Sequence, residues 1–192
     1  MWILRSLLNT WPEAVVSQPT VIILASGRGE RFIVSGGQGS KLEALIGGKT
    51  VLQWTLDAVK ATGLPWHVEN AGHPGMGDSI AAAVRATPHA DGWLILPADL
   101  PLISSQTILA VAQAIESGAQ AAYPLHEGER GHPVGFAAAG GSELQNLKGN
   151  RGAGRILSAL SATELIVNDV GCVMDIDTLE QLEAARLLVL GR

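Results

Sequence analysis

Thr20-Val-Ile-Ile-Leu-Ala-Ser-Gly-Arg-Gly-Glu-Arg31 passes within twelve residues from a short, largely β-branched apolar run to small residues, glycine and two arginines. An unbroken run such as Val21 to Leu24 predicts a strand buried on both faces, and the residues after it predict a close turn at its carboxyl end. A second run, Gly92-Trp-Leu-Ile-Leu-Pro97, stops at Ala98-Asp-Leu-Pro101, which places an acid at the end of another buried strand. Between these strands, Thr50 to Gly63 has apolar residues at helical spacing and a terminal glycine stop, after a turn at Gly47-Gly48. Pro65 to Glu69 predicts a short strand, and Asp78 or Ser79 is placed to cap a helix through Ala86. A helix is expected from Ser105 to Ser117, strands near 119–124 and 133–138, and a helix near 153–160. Strands at Glu164–Val170 and Cys172–Ile176 and an amphipathic helix at Thr178–Leu190 close the chain. Such alternation predicts an α/β fold, a three-layer αβα sandwich on a mainly parallel sheet. Ligands of such sheets bind beyond the carboxyl ends of the strands.

The chain has 192 residues, 47% hydrophobic and 16% charged, which excludes a disordered polymer. No apolar run approaches the roughly 20 residues that span a bilayer, so no membrane association is expected. A net charge of -5 gives no broad attraction to nucleic acid, and any anionic ligand requires a local cluster of cations. The apolar start at residues 1–18 is split by Arg5 and lacks a small-residue cleavage site, so it reads as an extension preceding one domain at 19–192. Cys172, the sole cysteine, fits a small core residue in a reducing, cytoplasmic compartment. The 23 glycines, about 12% of the chain against roughly 7% on average, gather near 27–48, 72–77, 128–141 and 149–154, which predicts several close backbone turns around a site.

Three segments carry chemistry. In the first, glycines let backbone N–H groups face a phosphate chain while Arg28, Arg31 and Lys41 neutralise it, the pattern of a nucleoside triphosphate site. G-x-x-x-x-G-K-[ST] is absent, and Phe32 occupies the third glycine position of a dinucleotide fingerprint. The plainer alternative is a flexible loop with solvated arginines. In the second, Asp99 offers a hard oxygen ligand suited to Mg2+, against the alternative of a turn aspartate. In the third, Asp175-Ile-Asp177 precedes the last helix; Asp175 is the expected ligand and Asp177 mostly structural, either it or Thr178 capping that helix.

The ordered set Leu24-Ala-Ser-Gly-Arg-Gly-Glu-Arg31 with Lys41-Leu42, Gly47-Gly-Lys-Thr-Val-Leu52, Gly75-Met-Gly-Asp-Ser79, Leu96-Pro-Ala-Asp-Leu-Pro101, Arg130-Gly-His-Pro-Val134 and Asp175-Ile-Asp-Thr-Leu-Glu180 resembles the NTP transferases that attach a nucleotide to the molybdenum cofactor. Within them it resembles the cytidylyltransferase branch. The resemblance implies a Rossmann-like nucleotidyltransferase domain whose first loop, Leu24, Ala25, Ser26, Gly27 and Gly29, wraps the nucleotide. It implies catalytic roles for Lys41, Asp99, Arg28 and Arg31, and Mg2+ held by Asp99 and Asp175. Gly77, Asp78 and Ser79 then approach the nucleotide, and Arg130 and His132 form the acceptor side. The implied donor is CTP, with GTP as the alternative, and the acceptor is molybdopterin, with sugar phosphates or alditol phosphates as alternatives. A molybdoenzyme is a possible partner, and a nucleotide- or cofactor-binding chaperone is the non-catalytic alternative.

Three features depart from the family pattern. A glycine-rich insertion separates Arg31 from Lys41, the stretch from Gly63 to Gly75 is too short for the usual pair of strands, and Ser26 replaces the alanine or glycine common there. Histidines 67, 73, 89 and 126 lack zinc-ligand spacing. Arg151 and Arg155 frame Gly152-Ala-Gly154 at a helix start, where backbone donors meet a phosphate or the face is simply solvated. Trp54, Trp66 and Trp93 are expected to pack the core.

Overall fold

The computed structural model describes residues 18–190, so the expected extension lies, except for its last residue, outside the described residues. In chain order the elements are β1 (Thr20–Leu24), α1 (Glu30–Val34), a 3-10 turn at Lys41–Glu43, β2 (Leu45–Ile46), β3 (Lys49–Thr50), α2 (Val51–Lys60), β4 (Trp66–Glu69), α3 (Met76–Ala86) and β5 (Gly92–Pro97). They continue with α4 (Ser105–Glu116), β6 (Ala121–His126), β7 (Glu129–Arg130), β8 (Val134–Ala137), α5 (Gly141–Gln145), α6 (Gly154–Ala159), β9 (Ala162–Ile166) and α7 (Leu179–Leu190).

Seven strands form the main sheet. β1 lies parallel to both β4 and β5, β8 runs antiparallel between β5 and β6, and β9 pairs in parallel with β6. The strands β4, β1, β5, β6 and β9 therefore point one way, and β8 and the short β7 are reversed. This is the mixed, mostly parallel sheet expected. Alternation along β1 and β5 divides the core. Val21, Ile23, Leu94 and Leu96 pack against α2, α4 and α7, whereas Ile22, Trp93 and Ile95 pack against α3, α5 and α6. Both strands are sealed between helical layers, which explains why, apart from Thr20, they carry no polar side chain.

α2 begins with a capping box in which Gln53 N donates to Thr50 Oγ1 at 3.1 Å and Thr50 N to Gln53 Oε1 at 2.8 Å; such a cap contributes about 1 kcal/mol. The turn before it joins β2 to β3 through Gly47 and Gly48, both at positive φ (54° and 87°), as a two-residue hairpin turn requires.

Four expectations need correction. α3 starts at Met76 with Gly75 as its N-cap, so Asp78 and Ser79 lie inside its first turn and do not cap it. The strand expected at Glu164–Val170 is β9, two to four residues earlier. Residues Cys172–Ile176 form no strand: a 3-10 turn at Val170–Cys172 is followed by a loop. Trp66 is 44% exposed beneath the Lys60 ammonium, unlike Trp93, which is in the core. Cys172 is fully buried, as expected of a small core residue, and burial pushes its thiol up to about 11.

Candidate active site

The carboxyl ends of β1 and β5 open into a cleft of about 650 Å³. Its charged end depends on the glycine-rich insertion. Phe32 of α1 is buried, and Gly37 lies so close over its ring that a Cβ there would fall 2.3 Å from it. Ser35 Oγ accepts from Leu179 N at 2.9 Å, which fastens the insertion to the start of α7. The chain then turns inward with Leu42 in the core and Lys41 only 8% exposed.

An ammonium so enclosed needs opposite charge. Lys41 Nζ donates to Asp99 Oδ2 at 2.5 Å and Asp177 Oδ1 at 2.6 Å, and Arg31 donates to the other oxygen of Asp177 at 2.5 Å. Burial works to strip the Lys41 proton, but the Asp99 charge and the bonds to Asp177 and Asp99 outweigh it, and its pKa lies above the ordinary value. Burial likewise acts to raise Asp177, yet Lys41 and Arg31 pull its carboxyl below the usual range. At Asp175 the balance is reversed: burial and the charges of Asp99 and Asp177 outweigh the pull of Lys41 and push it up.

The backbone explains why these acids meet. Ala98 N donates to Leu24 O at 3.0 Å, which aligns the end of β5 with β1. Ile176 is fully buried and its N donates to Asp99 O at 2.9 Å, so the acids on either side of it are laid beside Asp99. Carboxylate oxygens of Asp99, Asp175 and Asp177 lie within 4.8 Å of one another. Asp99 Oδ1 is buried with no partner. An unpaired carboxylate oxygen among three hard-oxygen donors fits a divalent cation of the Mg2+ or Mn2+ type.

The rest of the cleft lining has no Lys or Asp and is mostly small, apolar or neutral. Ser26 Oγ and Ser79 Oγ are 2.8 Å apart, and Leu24, Gly27, His73, Pro74, Gly75, Met76 and Asn150 complete it. His73 Nε2 is held 3.1 Å from Glu69 Oε1, a buried carboxylate at the end of β4 that also accepts from Ala71 N. Arg28 is at the rim, its side chain 75% exposed. His132 enters from between β7 and β8; its Nδ1 is buried without a partner, and burial lowers its pKa, which keeps the ring neutral. Its backbone N donates to Cys172 O at 2.8 Å, and Gly131 is required because a Cβ would meet that carbonyl at 2.6 Å.

Five sequence candidates do not line the cleft. Arg130 stacks over the Tyr123 ring at 5.8 Å, away from the acceptor side assigned to it. Ala25 has its N–H committed to Glu69 O, and Gly29 uses its positive φ of 63° to start α1. Gly77 and Asp78 turn toward another loop: Gly77 N donates to Gly149 O at 2.8 Å, and Asp78 Oδ2 accepts from Gly149 N at 2.9 Å. Conversely, Asp177 was expected to be mostly structural but sits at the centre of the charged end. The two-residue spacing of Asp175-Ile-Asp177 was its signal. Asn150 had none by residue type. Another concavity, about 730 Å³ between α2 and the start of α4, holds none of these residues, and its acids Asp57 and Asp169 are already bonded, to Lys49 and to Ser104 and Thr107.

Residues 56–164 match the family model of the MobA-like NTP transferase domain. The chain belongs to that family. It is a nucleotidyltransferase, and the matched span contains β5 with Asp99 and the segment of His132. Among solved structures it is similar in fold to Rv0371c from Mycobacterium tuberculosis H37Rv, with 22% identity over 90% of this chain and 98% of that one and a TM-score of 0.76. A structure of Rv0371c in complex with manganese aligns with 19% identity, 90% and 99% coverage and a TM-score of 0.71. Molybdopterin-guanine dinucleotide biosynthesis protein A from Archaeoglobus fulgidus aligns with 20% identity, 90% and 100% coverage and a TM-score of 0.66. No curated protein matches the chain in sequence. Among the described residues no helix is long and apolar enough to cross a membrane.

Proposed function

We propose that this NTP transferase moves CMP from CTP to the phosphate of a molybdopterin-type acceptor, with Mg2+, in a reducing cytoplasmic setting. The observation that carries this reading is Lys41 seated between Asp99 and Asp177, with Asp175 and Arg31 alongside, at the carboxyl ends of two parallel strands. An acceptor phosphate oxygen attacks the α-phosphorus of the nucleotide, the bond to the β-phosphate oxygen breaks, and pyrophosphate leaves. Negative charge stays on phosphate oxygens throughout, so the protein has to align the partners and balance that charge. Lys41, Arg31 and Arg28 face the polyphosphate, and Asp177 keeps Lys41 and Arg31 pointed inward. Mg2+ bound by Asp99 and Asp175 would polarise the phosphate oxygens and offset the charge of the leaving group. Leu24, Ser26, Gly27 and Ser79 contact the nucleotide, and His132, neutral, faces the acceptor.

The preference for cytidine rests on the resemblance of Ala98-Asp-Leu-Pro101 and Arg130-Gly-His-Pro133 to the cytidylyltransferase branch, and the acceptor on the same resemblance. Pyrophosphate release is the test, measured with each of four nucleotides against molybdopterin and several sugar and alditol phosphates. CTP with molybdopterin should lead, and Asp99→Ala should lower turnover on the order of a thousandfold while the protein stays folded. A folded, active Asp99→Ala protein removes Asp99 from the mechanism. Tight CTP binding with no pyrophosphate from any acceptor replaces the enzyme with a binding protein for a molybdoenzyme.

A further inference from the structure

The glycines of Gly75-Met-Gly77 do not make a turn, since neither has positive φ. What they permit is contact with a second backbone. A Cβ on Gly75 would fall 2.3 Å from Gly149 C and O, and one on Gly77 would fall 2.5 Å from Arg151 O. The segment 148–152 is thus laid directly on the first turn of α3. Gly77 N donates to Gly149 O at 2.8 Å and Gly149 N donates to Asp78 Oδ2 at 2.9 Å, a reciprocal pair in which Asp78 supplies the only side chain. Gly149 itself takes a positive φ of 62°, and the chain emerges with Asn150 on the lining of the cleft.

That position has a meaning on the reading of the cleft given above. The cations and acids at the charged end fix where a polyphosphate lies. A nucleotide so anchored extends its nucleoside toward Ser26, Ser79, His73 and Asn150. Asn150 presents one amide donor group and one carbonyl acceptor to it without formal charge, the chemistry of a base edge or ribose hydroxyl and not of a phosphate.

We propose that segment 148–152 is the nucleoside-side wall of the cleft, with Asn150 its contact residue and Asp78 a positioning residue that acts through it. This rests on the nucleotide reading of the site, and the two are separable by comparing CTP with inorganic tripolyphosphate as ligands in the presence of Mg2+, by calorimetry. Asn150→Ala and Asp78→Ala should each weaken CTP about tenfold, the worth of roughly one hydrogen bond, and leave tripolyphosphate within about twofold. Asp78→Asn, which keeps an oxygen for Gly149 N, should restore most of the affinity. The double variant Asp78→Ala/Asn150→Ala should be no weaker than either single one, because both remove the same contact. Replacing CTP by its 2′-deoxy form distinguishes a ribose contact, in which case Asn150→Ala no longer matters, from a base contact, in which case it still does. Unchanged CTP affinity in Asn150→Ala, which is exposed and tolerates truncation, overturns the proposal alone, as does equal loss of tripolyphosphate. A parent protein that binds neither ligand overturns the nucleotide reading together with it.

Discussion

The two ends of the cleft are built by different means. At the charged end Lys41 is held between Asp99 and Asp177, and Arg31 on Asp177, by side chains of opposite sign drawn from distant parts of the chain. At the neutral end the important joints run through the backbone of Gly149, whose O accepts from Gly77 N and whose N donates to the Asp78 carboxylate. The first arrangement is sensitive to a lost charge and the second to an added methyl group.

The strongest test of this contrast is Asp177→Ala. It frees Arg31 and removes one of two counter-charges from a buried ammonium, so turnover should fall about a hundredfold and the melting temperature of the ligand-free protein should fall by several degrees. A residual activity above a third of the parent would return Asp177 to a structural role. Next is Gly75→Ala, where the new Cβ has backbone, not a flexible side chain, at 2.3 Å. About 1–3 kcal/mol of stability should be lost in urea titration.

The stability of the fold also responds to pH through Cys172. Cys172, whose carbonyl holds His132, has its thiol pushed up to about 11 from an ordinary 9.0. Above pH 9 the unfolded chain releases this proton while the folded one keeps it, so stability falls as pH rises toward 11, by up to about 1.4 kcal/mol per unit. Urea titrations from pH 8 to 10.5 should show that slope, and Cys172→Ala should flatten it; an equal slope in both assigns the loss elsewhere. The smallest effect belongs to Gly72→Ala, at a glycine with nothing within 4 Å of a new Cβ and no positive φ. It should be stabilised by about 0.5 kcal/mol through the unfolded state. A loss above 1 kcal/mol there would blur the distinction between glycines that are required and glycines that are merely present.

The same contrast separates what the sequence discloses from what it conceals. β1 and β5 were legible because two-sided burial demands unbroken apolar runs, and Asp99 because a carboxylate at the end of such a run is conspicuous. α2 was legible from its spacing and Thr50. Asp177 was underestimated because its place just before the last helix also suited a capping residue; the alternation with Asp175 survives in a loop, enforced by one buried isoleucine, Ile176. Lys41 could be named but not placed, since the insertion before it is positioned by Phe32 and by a contact with Leu179 far along the chain. Asp78 was read as facing nucleotide because nothing local reveals that Gly149 will claim its carboxylate. Arg130 was misassigned for a similar reason: on a two-residue strand, the side that faces the cleft is decided by the partner strand and by Tyr123.

The distance along the chain between Arg31 and Asp177 also has a temporal consequence. While the protein is being synthesised, the first glycine loop, Lys41 and Asp99 leave the ribosome long before Asp175 and Asp177, which stand just ahead of the final helix. Throughout that interval Lys41 has one of its two acids and Arg31 lacks the Asp177 carboxylate. On the proposed reading, a nascent chain completes its charged end only once Asp175 and Asp177 have joined Lys41, Arg31 and Asp99.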